Sequence, residues 1–267
     1  MARRNFSLIL WIAAVTGITI ASGALAQQPA PAGCPPTQNT IAGTESNDLR
    51  AGTPLNDLML GAGGDDIFES MGGEDCLVMG DGHDRAGAGD GFDYLAGDAG
   101  NDRLAGNDGG DLLMGGDGDD LLDGGVDNDR IGGDFGNDRI SGSEGRDRAS
   151  GGPGRDHISF GDGADRGNGG ADDDKLFGGP EDDRVDGAGG DDRVRGDDGD
   201  DRVRGGVGDD RVVGDAGTDR LFGGAGNDVV DARDGEPDRV DCGPGRDLAR
   251  LDRQDRLVRG CERRRTF

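Results

Sequence analysis

The sequence predicts an all-β fold, a flattened β-solenoid coil of nine-residue repeats with two repeats in each circuit. Three observations predict it: aspartate recurs every ninth residue without a break, glycines precede each aspartate, and one apolar residue follows it. With 57 glycines, 56 acidic residues and only 31% apolar residues among 267, the composition by itself would read as disordered. The periodicity reverses that reading.

Written in nines from Ile41, residues 41–229 divide into 21 blocks with no insertion or deletion. The eighth place is aspartate in every block, from Asp48 and Asp57 to Asp219 and Asp228. The third place is glycine in 17 blocks, failing at Ser70, Met79, Ala88 and Phe160, and the sixth is glycine in 16. The first place is apolar except at Arg50 and Gly167.

Each place has a physical meaning. Glycines tolerate positive φ, so they allow a tight turn whose carbonyls converge. A short strand then alternates its side chains, directing the apolar residue inward and its two neighbours outward. Turn, strand, opposite turn and opposite strand complete one circuit in two blocks. At about 4.8 Å between strands, the 21 blocks predict roughly ten circuits and a stack about 50 Å long. The core is one residue wide, as in Leu104, Leu113, Leu122, Ile131 and Ile140. Such a ribbon buries too little apolar area to offset the ordering of so many glycines.

A counterion supplies what the core lacks. Aspartates stacked in columns repel one another, and a loop offering a carboxylate beside backbone carbonyls suits a hard cation with six to eight oxygen ligands. Calcium fits that description better than magnesium. Zinc or copper would need nitrogen or sulfur donors, and His83 and His157 lie in distant blocks. The formal charge of −27 argues against nucleic acid as a partner.

The segments GGDGDDLLD from Gly115 and GGAGNDVVD from Gly223 match the pattern G-G-x-G-x-D-x-U-x, with U aliphatic. On these motifs the chain resembles the RTX (hemolysin-type calcium-binding) repeat family over residues 41–230. The resemblance implies a parallel β-roll holding several calcium ions between a loop and its equivalent one circuit later. Carried over by residue, the ligands are the carboxylates of Asp66, Asp102, Asp120, Asp138, Asp192, Asp201, Asp210 and Asp228. Carbonyls of Gly61, Gly97, Gly115, Gly133, Gly187, Gly196, Gly205 and Gly223 complete the set. Asp127, Asp172 and Glu181 depart from the pattern at the sixth place, as do Pro153 and Pro180 at the fifth, so fewer than 21 full sites are expected.

The ends read differently. Arg3 and Arg4 precede an apolar run and the small-x-small sequence Ala24-Leu25-Ala26, so residues 1–26 are expected to be a signal peptide. That predicts a secreted, extracellular or cell-surface protein with no membrane span in the mature chain. Residues 27–40 are expected to form an N-terminal linker or cap and residues 231–267 a disulfide-stapled C-terminal cap. In an oxidising setting Cys34, Cys76, Cys242 and Cys261 are disulfide candidates; pairing Cys34 with Cys76 and Cys242 with Cys261 staples the two ends, and two other connectivities are open.

No catalytic residue and no organic cofactor is expected, because H-E-x-x-H and G-x-S-x-G are both missing and only 14 residues separate Gln27 from the first block. The expected role is therefore structural or surface-associated calcium binding without catalysis. Arginine fills the ninth place in 11 blocks, with Arg195 and Arg204 starting a second stripe. The plainer reading of these arginines is charge compensation beside the aspartates. The alternative is a ladder for anionic cell-wall polymer or polysaccharide, as in an adhesin, since guanidinium pairs well with carboxylate and phosphate.

Overall fold

The computed structural model describes residues 32–266, with side chains to residue 262. The expected signal segment 1–26 and residues 27–31 lie outside the described residues. Within them the chain forms 26 strands, from Asn39–Ala42 to Arg263–Thr266, in two parallel sheets of 13 strands. Alternate strands go to opposite sheets in strict sequence order. Each strand pairs with the one a circuit later, so Leu104, Leu122, Ile140 and Ile158 stand directly above one another. This is the parallel β-roll, with two nine-residue blocks per circuit. No helix among the described residues is long and apolar enough to cross a membrane.

The core is the expected ribbon. The strand Leu121–Val126 alternates exposed and buried residues, with Leu122 inside and Leu121 and Asp123 outside. From Met59 to Val240, first-place side chains of the two sheets meet in one continuous interior cluster. Two exceptions to the repeat turn out to be one feature. A side chain at Gly167 would collide with the Phe160 ring, 2.6 Å from its Cε1, so the large residue of one sheet occupies the space left by the glycine of the other.

The ladder extends past the regular nine-residue phase. Strands Arg239–Asp241, Leu248–Leu251 and Arg256–Arg259 continue the two sheets, with Val240 and Ala249 in the core. Spacings of ten, nine and eight residues from Asp228 through Asp238 and Asp247 to Asp255 keep the aspartate at the same turn. The Cys242–Cys261 disulfide lies in these last circuits, with Cys242 fully buried inside the coil. The Cys34–Cys76 disulfide sits on the outside. There Cys34 packs against Leu58, Leu60, Cys76, Tyr94 and Ala96, a second apolar cluster on the outer face of the first sheet.

Candidate metal centre

Two columns of aspartate run the length of the coil, one at each turn. Every eighth-place aspartate from Asp57 to Asp228 is buried, at most 3% exposed. Their carboxylates are locked by the neighbouring circuit. The backbone N–H of Asp102 donates to Oδ1 of Asp120 at 2.8 Å, that of Asp120 to Asp138 at 2.8 Å, and that of Asp192 to Asp210 at 2.9 Å. The Asp102 carbonyl accepts the N–H of Leu121 at 2.9 Å, so each aspartate ties its circuit to the next twice.

The second oxygen is different. Oδ2 of Asp66, Asp102, Asp120, Asp138, Asp192, Asp201, Asp210 and Asp228, the expected ligands, is buried without any hydrogen-bond partner. A buried acceptor left unpaired costs roughly 1–3 kcal/mol, and more when charged. Burial and neighbouring aspartates, opposed by the inter-circuit N–H, push the Asp102 and Asp138 carboxyls up to about 7. Asp111 and Asp183 rise to about 8 for the same reasons. These pockets disfavour bare negative charge and fit a cation.

The third-place glycines complete the cradle. A Cβ at Gly115 would meet Asp120 Oδ2 and stand 2.7 Å from the Gly133 carbonyl oxygen of the next circuit. The same juxtaposition recurs at Gly97 with Asp102 and the Gly115 carbonyl, and at Gly205 with Asp210 and the Gly223 carbonyl. At Gly61, Gly187, Gly196 and Gly223 the partner carbonyls are those of Met79, Gly205, Gly214 and Cys242. Gly133 stands likewise beside Asp138 Oδ2 and the Gly151 carbonyl. Each expected aspartate thus shares its space with its own block's glycine and a carbonyl from the neighbouring circuit. Among the described residues no three carboxylate, imidazole or thiolate side chains converge on one point, so further donors must come from backbone carbonyls. An oxygen-only cradle of this kind suits calcium.

Several contributors were not evident from sequence. The fourth place also turns left-handed, with φ of 69° at Asp98, 70° at Asp134 and 72° at Asp197; its mixture of glycine with aspartate and asparagine, the residues that tolerate this region, was the available signal. Asp127, Asp172 and Glu181 hold the sixth-place turn with φ of 80°, 74° and 76°, so these blocks keep the same backbone course without glycine. A second ladder runs through the seventh place. His83 accepts the Asn101 N–H on Nδ1 at 2.8 Å, and Asn101 accepts the Asp119 N–H at 3.1 Å, which explains the histidine as a stand-in for asparagine.

Models of the RTX calcium-binding nonapeptide repeat match the chain in overlapping segments from 51–86 to 195–230, together covering residues 51–230 without a gap. No curated protein matches the chain closely. An aspartate in phase throughout, a glycine cradle at each of the expected sites and a two-sheet parallel roll agree with that match, and the chain belongs to the RTX calcium-binding nonapeptide repeat family.

Proposed function

We propose that this is an exported protein whose roll folds as several calcium ions bind, and whose role is structural or surface-associated without catalysis. The double row of buried, partnerless aspartate oxygens carries the reading. Calcium bound at the turns would supply the positive charge those oxygens lack. Asp66, Asp102, Asp120, Asp138, Asp192, Asp201, Asp210 and Asp228, with third-place glycines and their carbonyl partners, would hold it. A ligand that binds the folded state alone stabilises it by mass action, and extracellular modules commonly work at about 10⁻⁴ to 10⁻³ M calcium.

Export is supported by the segment before residue 27 and by the two disulfides, which persist in oxidising compartments. Circular dichroism with calcium and with chelator tests the folding claim, and calorimetric titration gives the stoichiometry. A β-sheet spectrum unaltered by chelator at neutral pH would end it. A second reading, an adhesin or module for anionic cell-wall polymer, has the outward arginines in its favour.

A further inference from the structure

Alternate blocks fall on opposite sheets, which divides the eleven ninth-place arginines six to five, but only the six form one unbroken run of consecutive strands. On the first sheet Arg130, Arg148, Arg166, Arg184, Arg202 and Arg220 stand in register, and Arg239 and Arg256 extend the same column. All are exposed. On the other sheet Leu121, His157 and Lys175 interrupt the corresponding column. Eight guanidinium groups on successive strands, about 4.8 Å apart, make an unbroken ladder about 34 Å long.

Direct ion pairing does not compensate this column. Among the described residues none of the eight forms an ion pair with a carboxylate; outward pairs include Arg195 with Asp197 and Asp215, and Arg204 with Asp186, in the second stripe, and Arg155 with Asp173 at a turn. The start of the same column is Leu58, Cys76, Tyr94 and Leu112, where Cys34 and its neighbours pack. Beyond that cover the face opens into a groove of about 600 Å³ along Arg148, Ser150, Arg166, Asn168, Arg184 and Arg202, with Asp186, paired to Arg204, as its one carboxylate. Stacking like charges across adjacent strands is unfavourable in itself, so a column without direct ion pairs gains from an anion outside the chain.

We infer that this ladder is a docking face for a linear acidic polysaccharide, a glycan carrying a carboxylate on each sugar. A linear glycan with a carboxylate on each sugar repeats its anions at a spacing comparable to the ladder's, so several carboxylates of one chain can reach guanidinium forks along it. Ser150 and Asn168 beside the arginines offer neutral partners for hydroxyl groups. Single-stranded nucleic acid wants exposed aromatic platforms, and the Phe222 ring on this face is covered by Arg202 at 4.6 Å and Arg204 at 5.7 Å. Each exposed contact is weak, but contacts along one polymer reinforce one another. The inference rests on the calcium-folded roll proposed above, because only the folded coil aligns the arginines and only neutralised aspartates admit a polyanion.

The test uses the full chain in calcium, with hexagalacturonate as probe, too short to gel with the ion, and an oligothymidylate of equal charge as competitor. Arg166→Gln/Arg184→Gln/Arg202→Gln should weaken hexagalacturonate binding roughly tenfold or more, whereas Arg85→Gln/Arg103→Gln on the opposite sheet should not. Circular dichroism on every sample reports the roll separately: a parent chain without a calcium response refutes the folding proposal, and the ladder is judged on variants that keep the parent's response. A folded triple variant that binds as tightly as the parent, or preference for the oligonucleotide, overturns the ladder.

Discussion

Asp102→Asn separates the two jobs of a column aspartate while hardly changing its shape. The amide oxygen can still accept the Asp84 N–H, now 2.8 Å from Oδ1, but the nitrogen replacing Oδ2 carries donors and no charge. With calcium at 100 times its dissociation constant, losing one site removes about 2.7 kcal/mol. In a folded unit of this size that corresponds to roughly 5–10 °C of melting temperature. In chelator the sign reverses. The Asp102 carboxyl is raised from 3.8 to about 7, chiefly by burial. Above pH 7 holding it ionised in the metal-free coil costs about 4 kcal/mol. Asparagine avoids that cost and adds an unpartnered donor at about 1–3 kcal/mol. The net gain of about 1–3 kcal/mol should shrink on acidification and turn into a loss by about pH 4, where both the folded and unfolded carboxyls are protonated and only the asparagine's unpartnered donor remains. Melting followed by far-ultraviolet circular dichroism, in calcium and in chelator from pH 4 to 8, reads both effects. A variant equal to the parent in calcium, or destabilised alike in both conditions, would refute the reasoning that Oδ2 is an uncompensated charge awaiting a cation.

Three further outcomes follow from the same geometry. Gly115→Ala puts a methyl group against Asp120 Oδ2 and 2.7 Å from the Gly133 carbonyl oxygen, so it should cost about 1–3 kcal/mol and raise the calcium midpoint; an unchanged titration counts against the cradle. Without metal, acid should stabilise the coil. Folded carboxyls raised to about 6 at Asp66 and about 8 at Asp183 contribute stability that is full below the unfolded value and lost as pH rises through the folded one, so a chelated chain equally compact at pH 4 and pH 8 contradicts the prediction. Glu181→Gly relieves a left-handed residue at φ 76° and should gain about 1 kcal/mol in calcium, seen as a higher melting temperature; a lower one would show that the Glu181 side chain contributes to the turn.

Much of this molecule is legible in its sequence because the fold is a one-dimensional repeat. A place in the block has one environment wherever it recurs, so the eighth-place aspartates, the third-place glycines and the first-place apolar residues could be assigned by phase alone, and the structure puts Asp120, Gly115 and Leu122 where that phase requires. The fourth-place turn escaped notice because Asp98 and Asn107 adopt it without glycine. The coil beyond residue 230 escaped because spacings of ten, nine and eight residues break the phase while the aspartate hydrogen bonds persist, with Asp219 N–H donating to Asp238 at 2.8 Å.

Tertiary structure decided what depends on two blocks meeting. Phase treats Gly167 and Phe160 as unrelated exceptions, whereas across the coil interior they are a void and its filling. Along the chain the ninth-place arginines form a single interrupted series, but a circuit of 18 residues deals alternate blocks to opposite sheets and puts six of the eleven in one unbroken column, which Arg239 and Arg256 extend. The covered outer patch at Tyr94 likewise depends on where Cys34 is tied. Periodicity specifies an environment from a residue's position within its own block; contacts across the coil, or between the coil and its flanking segment, depend on distances that no local pattern encodes.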